Sequence, residues 1–172
     1  KERLESIGLF SPDHKKRIPM YSENIGIITS QTGDALNDIV STINKRFPLV
    51  SIYLYPALVQ GPDAPKSLIK ALNKASLEKK VDVVIIARGG GSFEDLNCFN
   101  DETLAKAIYE FDIPIVSGVG HENDYTICDF VCDDRAPTPT GAAVKVTPDK
   151  TVLFQTIDNV KHKLSILMRK VY

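Results

Sequence analysis

The chain reads as an α/β protein: a Rossmann-like, doubly wound, four-stranded parallel sheet in order 2-1-3-4, followed by the start of a long coiled-coil helix. Three observations predict this. Apolar runs alternate with stretches of helical periodicity, giving β-α-β-α-β-α-β. The run Val83-Val84-Ile85-Ile86-Ala87 is unbroken, as suits a strand buried on both faces. Strands one, three and four each end in a glycine-containing loop, and in such sheets ligands bind at the carboxyl ends of the strands, at the switch in strand order. Right-handed crossovers leave few other topologies.

Composition bounds the class. With 172 residues and 43% apolar content the chain can bury one core. The expected division is a lead-in segment 1–23, an α/β domain 24–148 and the first part of a coiled-coil helix 149–172. No apolar run reaches 18 residues, which speaks against a membrane span. A start at Lys1, with no Met and no signal peptide, suggests a piece of a longer protein. Three cysteines, an odd number, argue against a disulfide framework and for a cytoplasmic setting. Residues 1–20 carry 5 Lys/Arg and 3 Asp/Glu, residues 149–172 carry 5 and 2, and the middle carries 11 and 17, a net −6. Bulk charge therefore does not advertise a nucleic-acid binder, and a polyanion would need locally placed cations.

Taken in order, the lead-in holds a short helical piece with Leu4 and Ile7, then the basic run His14-Lys15-Lys16-Arg17 between two prolines. That run reads first as a solvated face. Strand one is Asn24–Thr29. The hydroxyl-rich turn Ser30–Gly33 follows, then a helix with Leu36, Ile39, Val40, Ile43 and Phe47 on one face. Asp34 and Asp38 lie off that face. Asp34 suits the positive end of the helix dipole, an explanation that weakens one turn deeper at Asp38. Strand two, Val50–Tyr55, is stopped by Pro56, and its tyrosines read as sheet packing. A helix carries Leu68, Ile69, Leu72 and Ala75. Strand three leads into Arg88-Gly89-Gly90-Gly91 and then Ser92-x-x-Asp95, a capping-box pattern. Asn100 can cap the next helix, with Leu104, Ala107, Ile108 and Phe111. Strand four, Ile113–Val119, runs into Gly120-His121-Glu122-Asn123-Asp124. Cys128, Cys132, three acids and the proline loop Arg135–Thr140, expected to be extended and stiff, come next. In the tail, Leu153, Ile157, Val160, Leu164, Leu167 and Val171 repeat at 4-3-4-3-4, a coiled-coil seam that needs a partner.

The rim so assembled suits a phosphate. Arg88, a glycine nest and a helix N-terminus converge at the end of strand three. The plainer reading is a tight turn with Arg88 in a structural ion pair. The candidate catalytic set is Arg88, His121, Asp124 and Asp38. A guanidinium can fork two phosphate oxygens and an imidazole can move a proton near neutral pH. Asp124, three residues on, could orient the imidazole, and Asp38 could orient a water. Ser30, Thr32, Gly89, Gly90, Gly91, Ser92, Gly118, Gly120 and Arg135 are the candidate substrate-binding residues around them. Other chemistries fit less well. G-x-G-x-x-G fails at Asn123 and Glu94, and the P-loop and G-x-S-x-G patterns are absent. A zinc site from His121, Cys128 and Cys132 is less apt than two small apolar residues one helical turn apart. Asp129, Asp133 and Asp134 could hold Mg²⁺, which the sequence leaves open.

These segments (ITSQTGDALNDI, YPALVQG, VIIARGGGSFEDLNCFNDE and IPIVSGVGHENDYTICDFVCDDRAPTPTGAA) together resemble the large subunit of exodeoxyribonuclease VII, from about Leu9 to Pro148. The resemblance implies exonucleolytic hydrolysis of single-stranded DNA from either end to short oligonucleotides, with no added metal required. It implies that the essential group falls on Arg88, His121, Asp124 and Asp38. It also implies an OB-fold ahead of this domain, and a helical region continuing from 149–172 that binds several copies of a small subunit. Gln31, Asp34 and Asn37 depart from the common TSPTGAA and the usual Arg before the helix Asp, so a basic DNA contact is in doubt there. Asn123 and Tyr125 replace the common Thr and Phe. The alternative is a non-catalytic phosphate- or nucleotide-binding scaffold that recruits a partner through its C-terminal helix.

Overall fold

The computed structural model describes residues 2–6, 8–90, 93–121 and 123–171, and the side chains of 3–6, 8–90, 95–121 and 123–169. The elements are α1 (Glu2–Ser6), a 3-10 turn Pro12–His14, β1 (Asn24–Thr29), α2 (Asp34–Arg46), β2 (Ser51–Pro56), α3 (Ala64–Glu78) and β3 (Val83–Ala87). A 3-10 helix Phe93–Asn100 follows, then α4 (Glu102–Tyr109), β4 (Ile115–Gly118), α5 (Ile127–Val131), β5 (Asp134–Arg135), α6 (Pro139–Val146) and α7 (Lys150–Val171).

All the strands pair in parallel, in the order β2-β1-β3-β4-β5. The expected 2-1-3-4 is there, but the sheet has five strands, not four. The added edge strand is two residues long, Asp134 and Arg135, paired with Val116 and Ser117. A strand that short leaves no apolar run to read.

Side chains alternate across each strand and so build two cores. On one face Ile25, Ile27, Val83, Ile85, Ala87 and Val116 meet Ala35, Ile39 and Ile43 of α2 and Ala142, Ala143 and Val146 of α6. On the other, Ile28, Val84, Ile86 and Ile115 meet Leu68 and Leu72 of α3, Leu104 and Ile108 of α4, and Val131 of α5. Helices on both faces make the sheet doubly wound, as expected. Tyr55 packs into the second core, and its hydroxyl donates to Glu78 at 3.4 Å. Burial, then the Glu78 charge, push that phenol up to about 12.

Three local expectations need correction. The proline segment is extended only as far as Thr138. From Pro139 it is helical, because Thr138 caps α6 with its side chain accepting from Gly141 N, and Pro139 fits the first turn, where its missing N–H costs nothing. The cap of α4 is Asp101, accepting from Leu104 N at 2.8 Å, while Asn100 accepts from Ile127 N instead. After β3 the chain forms a 3-10 helix; Ser92, the expected cap, lies outside the described residues, as do Gly91 and Ile7.

The lead-in is fastened to the domain. Leu4 and Leu9 are buried in the second core, Lys16 binds Asp133 through both its backbone N and its Nζ, and the His14 ring meets the Tyr109 hydroxyl at 2.7 Å. α7 behaves differently. Ile157, Val160, Leu164 and Leu167 are all more than half exposed, so nothing among the described residues covers the seam beyond Leu153, which is partly buried.

Candidate functional site

Four strand ends build one cleft. The first turns of α2, which follows β1, supply Asp34, Ala35 and Asp38, and the end of β3 supplies Arg88, Gly89 and Gly90. Val119 and His121 come from the end of β4, and Pro137 to Thr140 from the end of β5. The cleft has a volume of about 450 Å³ and sits at the switch in strand order, between β1 and β3. Of the candidate catalytic residues, Asp38, Arg88 and His121 line it, although they are widely separated along the chain. Asp124 lines an adjoining hollow that shares His121, Pro137 and Thr138 with the cleft.

Each wall has a local cause. Arg88 follows the last residue of β3 and is 5% exposed. Its Nη2 lies 3.2 Å from Asp95 Oδ2 in the following 3-10 helix, so the ion pair expected on the plainer reading exists. Arg88 nevertheless lines the cleft, and the two readings coexist. The N-terminus of α2 opens on the same space: Gly33 caps it with no side-chain hydrogen bond. Gly89 lies against this helix start, where an added Cβ would come 3.6 Å from Ala35 N and 3.9 Å from Asp34 N. Backbone N–H groups at a helix start, beside a guanidinium, are a place where an anion is stabilised.

His121 is exposed on a turn that closes when Asp124 N donates to His121 O at 3.0 Å. The pair was expected to neighbour as in a helix, side chain to side chain. The segment is a turn instead, and the two meet through the backbone; no hydrogen bond joins their side chains among the described residues. Gly120 is obligatory in this turn, since a Cβ there would overlap the Asp124 carbonyl and press on Asp129. Gly118 serves packing in the same way: a Cβ would meet Ala142 at 3.0 Å and Thr138 O at 3.2 Å.

The other candidate substrate contacts scatter. Gly89 and Gly90 line the cleft. Ser30, half-buried, and Thr32, exposed, lie in the β1–α2 turn and do not line it. Arg135 turns inward, with Nη2 donating to Gly120 O at 3.2 Å and His121 O at 2.6 Å. Gly91 and Ser92 lie outside the described residues. The acids weighed for Mg²⁺ each have their own partners: Asp133 takes Lys16 and Ile115 N, Asp134 takes Lys145, and Asp129 takes Ser117 and Thr126. Among the described residues no three His, Cys, Asp or Glu converge. Cys128 and Cys132 are buried with their sulfurs 3.8 Å apart, and the contact with Cys132 together with burial holds the Cys128 thiol well above its ordinary range. Sequence reasoning missed the Pro137–Thr140 wall. Its signal was Thr-Pro, a capping residue before a helix-starting proline.

The chain is similar to known proteins over most of its length. The model of the family "Exonuclease VII, large subunit" matches residues 9–172. The exodeoxyribonuclease 7 large subunit of Legionella pneumophila (strain Paris) is 54% identical over 164 residues, 95% of this chain and 37% of that protein. The proteins of the same name from Carboxydothermus hydrogenoformans and Geobacillus kaustophilus are each 49% identical, over 95% and 99% of this chain and 35% and 38% of their own lengths. The chain thus spans little more than a third of these relatives. Among the described residues no helix is long and apolar enough to cross a membrane. By the extent of the family match and the identity to these relatives, the chain belongs to the exonuclease VII large-subunit family.

Proposed function

We propose that this chain carries the hydrolytic site of a cytoplasmic exonuclease that shortens single-stranded DNA from either end to short oligonucleotides, working with a small subunit. The observation that carries the reading is the convergence of Asp38, Arg88 and His121 on one cleft, from three separate strand ends. Arg88, held from behind by Asp95, is placed to meet the phosphate oxygens, and the α2 N-terminus adds its dipole. Water attacks phosphorus and gives its proton to the Asp38 carboxylate. The P–O bond to the departing strand's sugar oxygen breaks, and the protonated His121 ring delivers its proton to that leaving oxygen. Asp124 closes the same turn through its backbone N–H to His121 O and so helps hold the His121 backbone in place. The reaction as drawn needs no metal. The exposed seam of α7, Ile157-Val160-Leu164-Leu167, is the docking line for several copies of the small subunit.

The test uses the full-length large subunit assembled with its small subunit and end-labelled single strands. His121→Ala and Arg88→Ala are each expected to lower kcat by about 10²–10⁴-fold, the range typical of a lost proton donor or charge stabiliser. Cleavage is expected to persist in chelator. Wild-type rates in His121→Ala would sink the assignment, and loss of activity on chelation would sink the metal-free step. Tight mononucleotide binding with no cleavage by the wild-type complex would favour a non-catalytic scaffold.

A further inference from the structure

The least expected arrangement in the molecule lies behind the His121 turn. Arg135, on edge strand β5, has a side chain only 16% exposed. Its Nη2 donates to two successive carbonyls of that turn, Gly120 O and His121 O. Its Nε stands 3.7 Å from Oδ1 of Asp129, whose side chain is completely buried. That carboxylate is itself fixed, taking Ser117 Oγ from β4 at 2.5 Å and both the backbone N and the hydroxyl of Thr126 at 2.8 Å. The outer face of the guanidinium is covered by the Tyr125 ring, with Cζ 3.9 Å from its centre, and Tyr125 stacks in turn on Phe130. A charge buried this far is stable only when paired and hydrogen-bonded; here Asp129 pairs it and Nη2 is hydrogen-bonded, while Nε makes the ion pair with no hydrogen bond of its own.

We propose that Arg135 is a positioning residue: it fixes the backbone of the Gly120–Asp124 turn and so sets where the His121 ring stands in the cleft. It acts on the reaction through His121 and does not grip DNA. The geometry separates the two roles. A phosphate contact needs guanidinium N–H groups aimed at solvent, whereas here Nη2 is committed to turn carbonyls and one ring face to Tyr125. His121 O receives two donors, Asp124 N and Arg135 Nη2, so the turn is held from inside and from behind. Arginine suits this position because one planar fork can reach adjacent carbonyls and a carboxylate together. A lysine offers a single point.

The proposal rests on the reading of His121 given above, and the experiment keeps the two apart. Four assembled full-length complexes are compared with wild type on single-stranded DNA: R135M, R135K, H121A and the H121A/R135M double variant. R135M is expected to lose about 10–100-fold in kcat, the scale of a reacting group displaced by an ångström. KM should stay within about twofold, and the salt dependence of DNA affinity should not change. The double variant should be no slower than H121A, because both changes remove one function. R135K should fall between wild type and R135M in kcat, which also decides the matter should R135M fail to assemble. A salt slope reduced by about one, with kcat intact, would make Arg135 a phosphate contact and overturn the proposal. Wild-type kcat in R135M or R135K would overturn it too, as would losses that multiply in the double variant. If H121A itself cleaves at the wild-type rate, the reading of His121 fails. If H121A is inactive while Arg135 variants keep their kcat, only the present inference fails.

Discussion

Gly120 has no room for even one methyl group, because the Asp124 carbonyl occupies the place a Cβ would take. Gly90, past the end of the neighbouring strand β3 and lining the cleft, has nothing among the described residues within 4 Å of its Cβ position. The two glycines therefore predict opposite outcomes from one substitution. Gly120→Ala must push the turn open at an overpacking cost of about 1–3 kcal/mol. For a domain of this size that is a fall in Tm of roughly 2–12 °C. Gly90→Ala should leave Tm within about 1 °C, the near-neutral effect usual for an open surface position. Thermal unfolding followed by circular dichroism decides the pair, and a Gly120→Ala protein as stable as wild type would contradict the turn geometry. The same pair shows what a sequence reveals at this scale. Residue types legible as chemistry (Arg88, His121, Asp38) do share a cleft, since strand ends in a doubly wound sheet converge whatever the loops do. Whether a glycine serves a ligand or a packing contact depends on neighbours far along the chain: Gly89 lines the cleft, while Gly118 lies under Thr138, Pro139 and Ala142. The inward turn of Arg135 was hidden for the same reason.

At the scale of elements, α6 is the addition that shapes the site. It packs against α2 and closes the first core with Ala142, Ala143 and Val146, while the residues leading into it form the cleft's far wall. Its start depends on one side chain, since Thr138 Oγ1 accepts from Gly141 N at 2.9 Å. Thr138→Ala should cost about 1 kcal/mol, the usual worth of such a cap. In a chain this long that lowers Tm by roughly 2–4 °C. Thr138→Ser, which keeps the oxygen, should recover most of it; equal losses in the two variants would show that the cap contributes nothing. The strands β1 and β3 follow directly from their apolar runs, and α2 and α3 from their periodicity, because burial on a sheet enforces both patterns. β5 was illegible because its two residues are polar and half-buried at a sheet edge. α6 was masked by prolines, which signal extension as readily as a helix start unless the preceding capping residue is weighed with them.

At the scale of the whole molecule, charge and site pull in different directions. Residues 21–148 carry 11 basic and 17 acidic side chains, yet the proposed substrate is a polyanion. The cleft does not reverse this balance, because Asp34 and Asp38 face it together with Arg88. Several of the remaining cations are already paired: Lys16 with Asp133, Arg46 with Asp149, Lys106 with Glu102, and Lys145 with Asp134. Counterion release, the main source of affinity for a nucleic-acid backbone, scales with the number of phosphates neutralised, and here few cations are left to neutralise them. A site can then be chemically complete without holding its substrate. We therefore predict that these 172 residues on their own bind labelled single-stranded DNA weakly. The expected Kd is weaker than about 100 μM at physiological salt, beyond the weak end of ordinary non-specific binding. Cleavage by the chain alone should be slow at any practical concentration, while the assembled full-length complex is fast. Fluorescence anisotropy and gel assays on the two preparations, side by side, measure both quantities. Micromolar binding or brisk cleavage by the isolated chain would show that grip resides in this domain after all, and the search for it would return to the exposed basic residues Lys15 and Arg17 and to Lys66, Lys70 and Lys74 of α3.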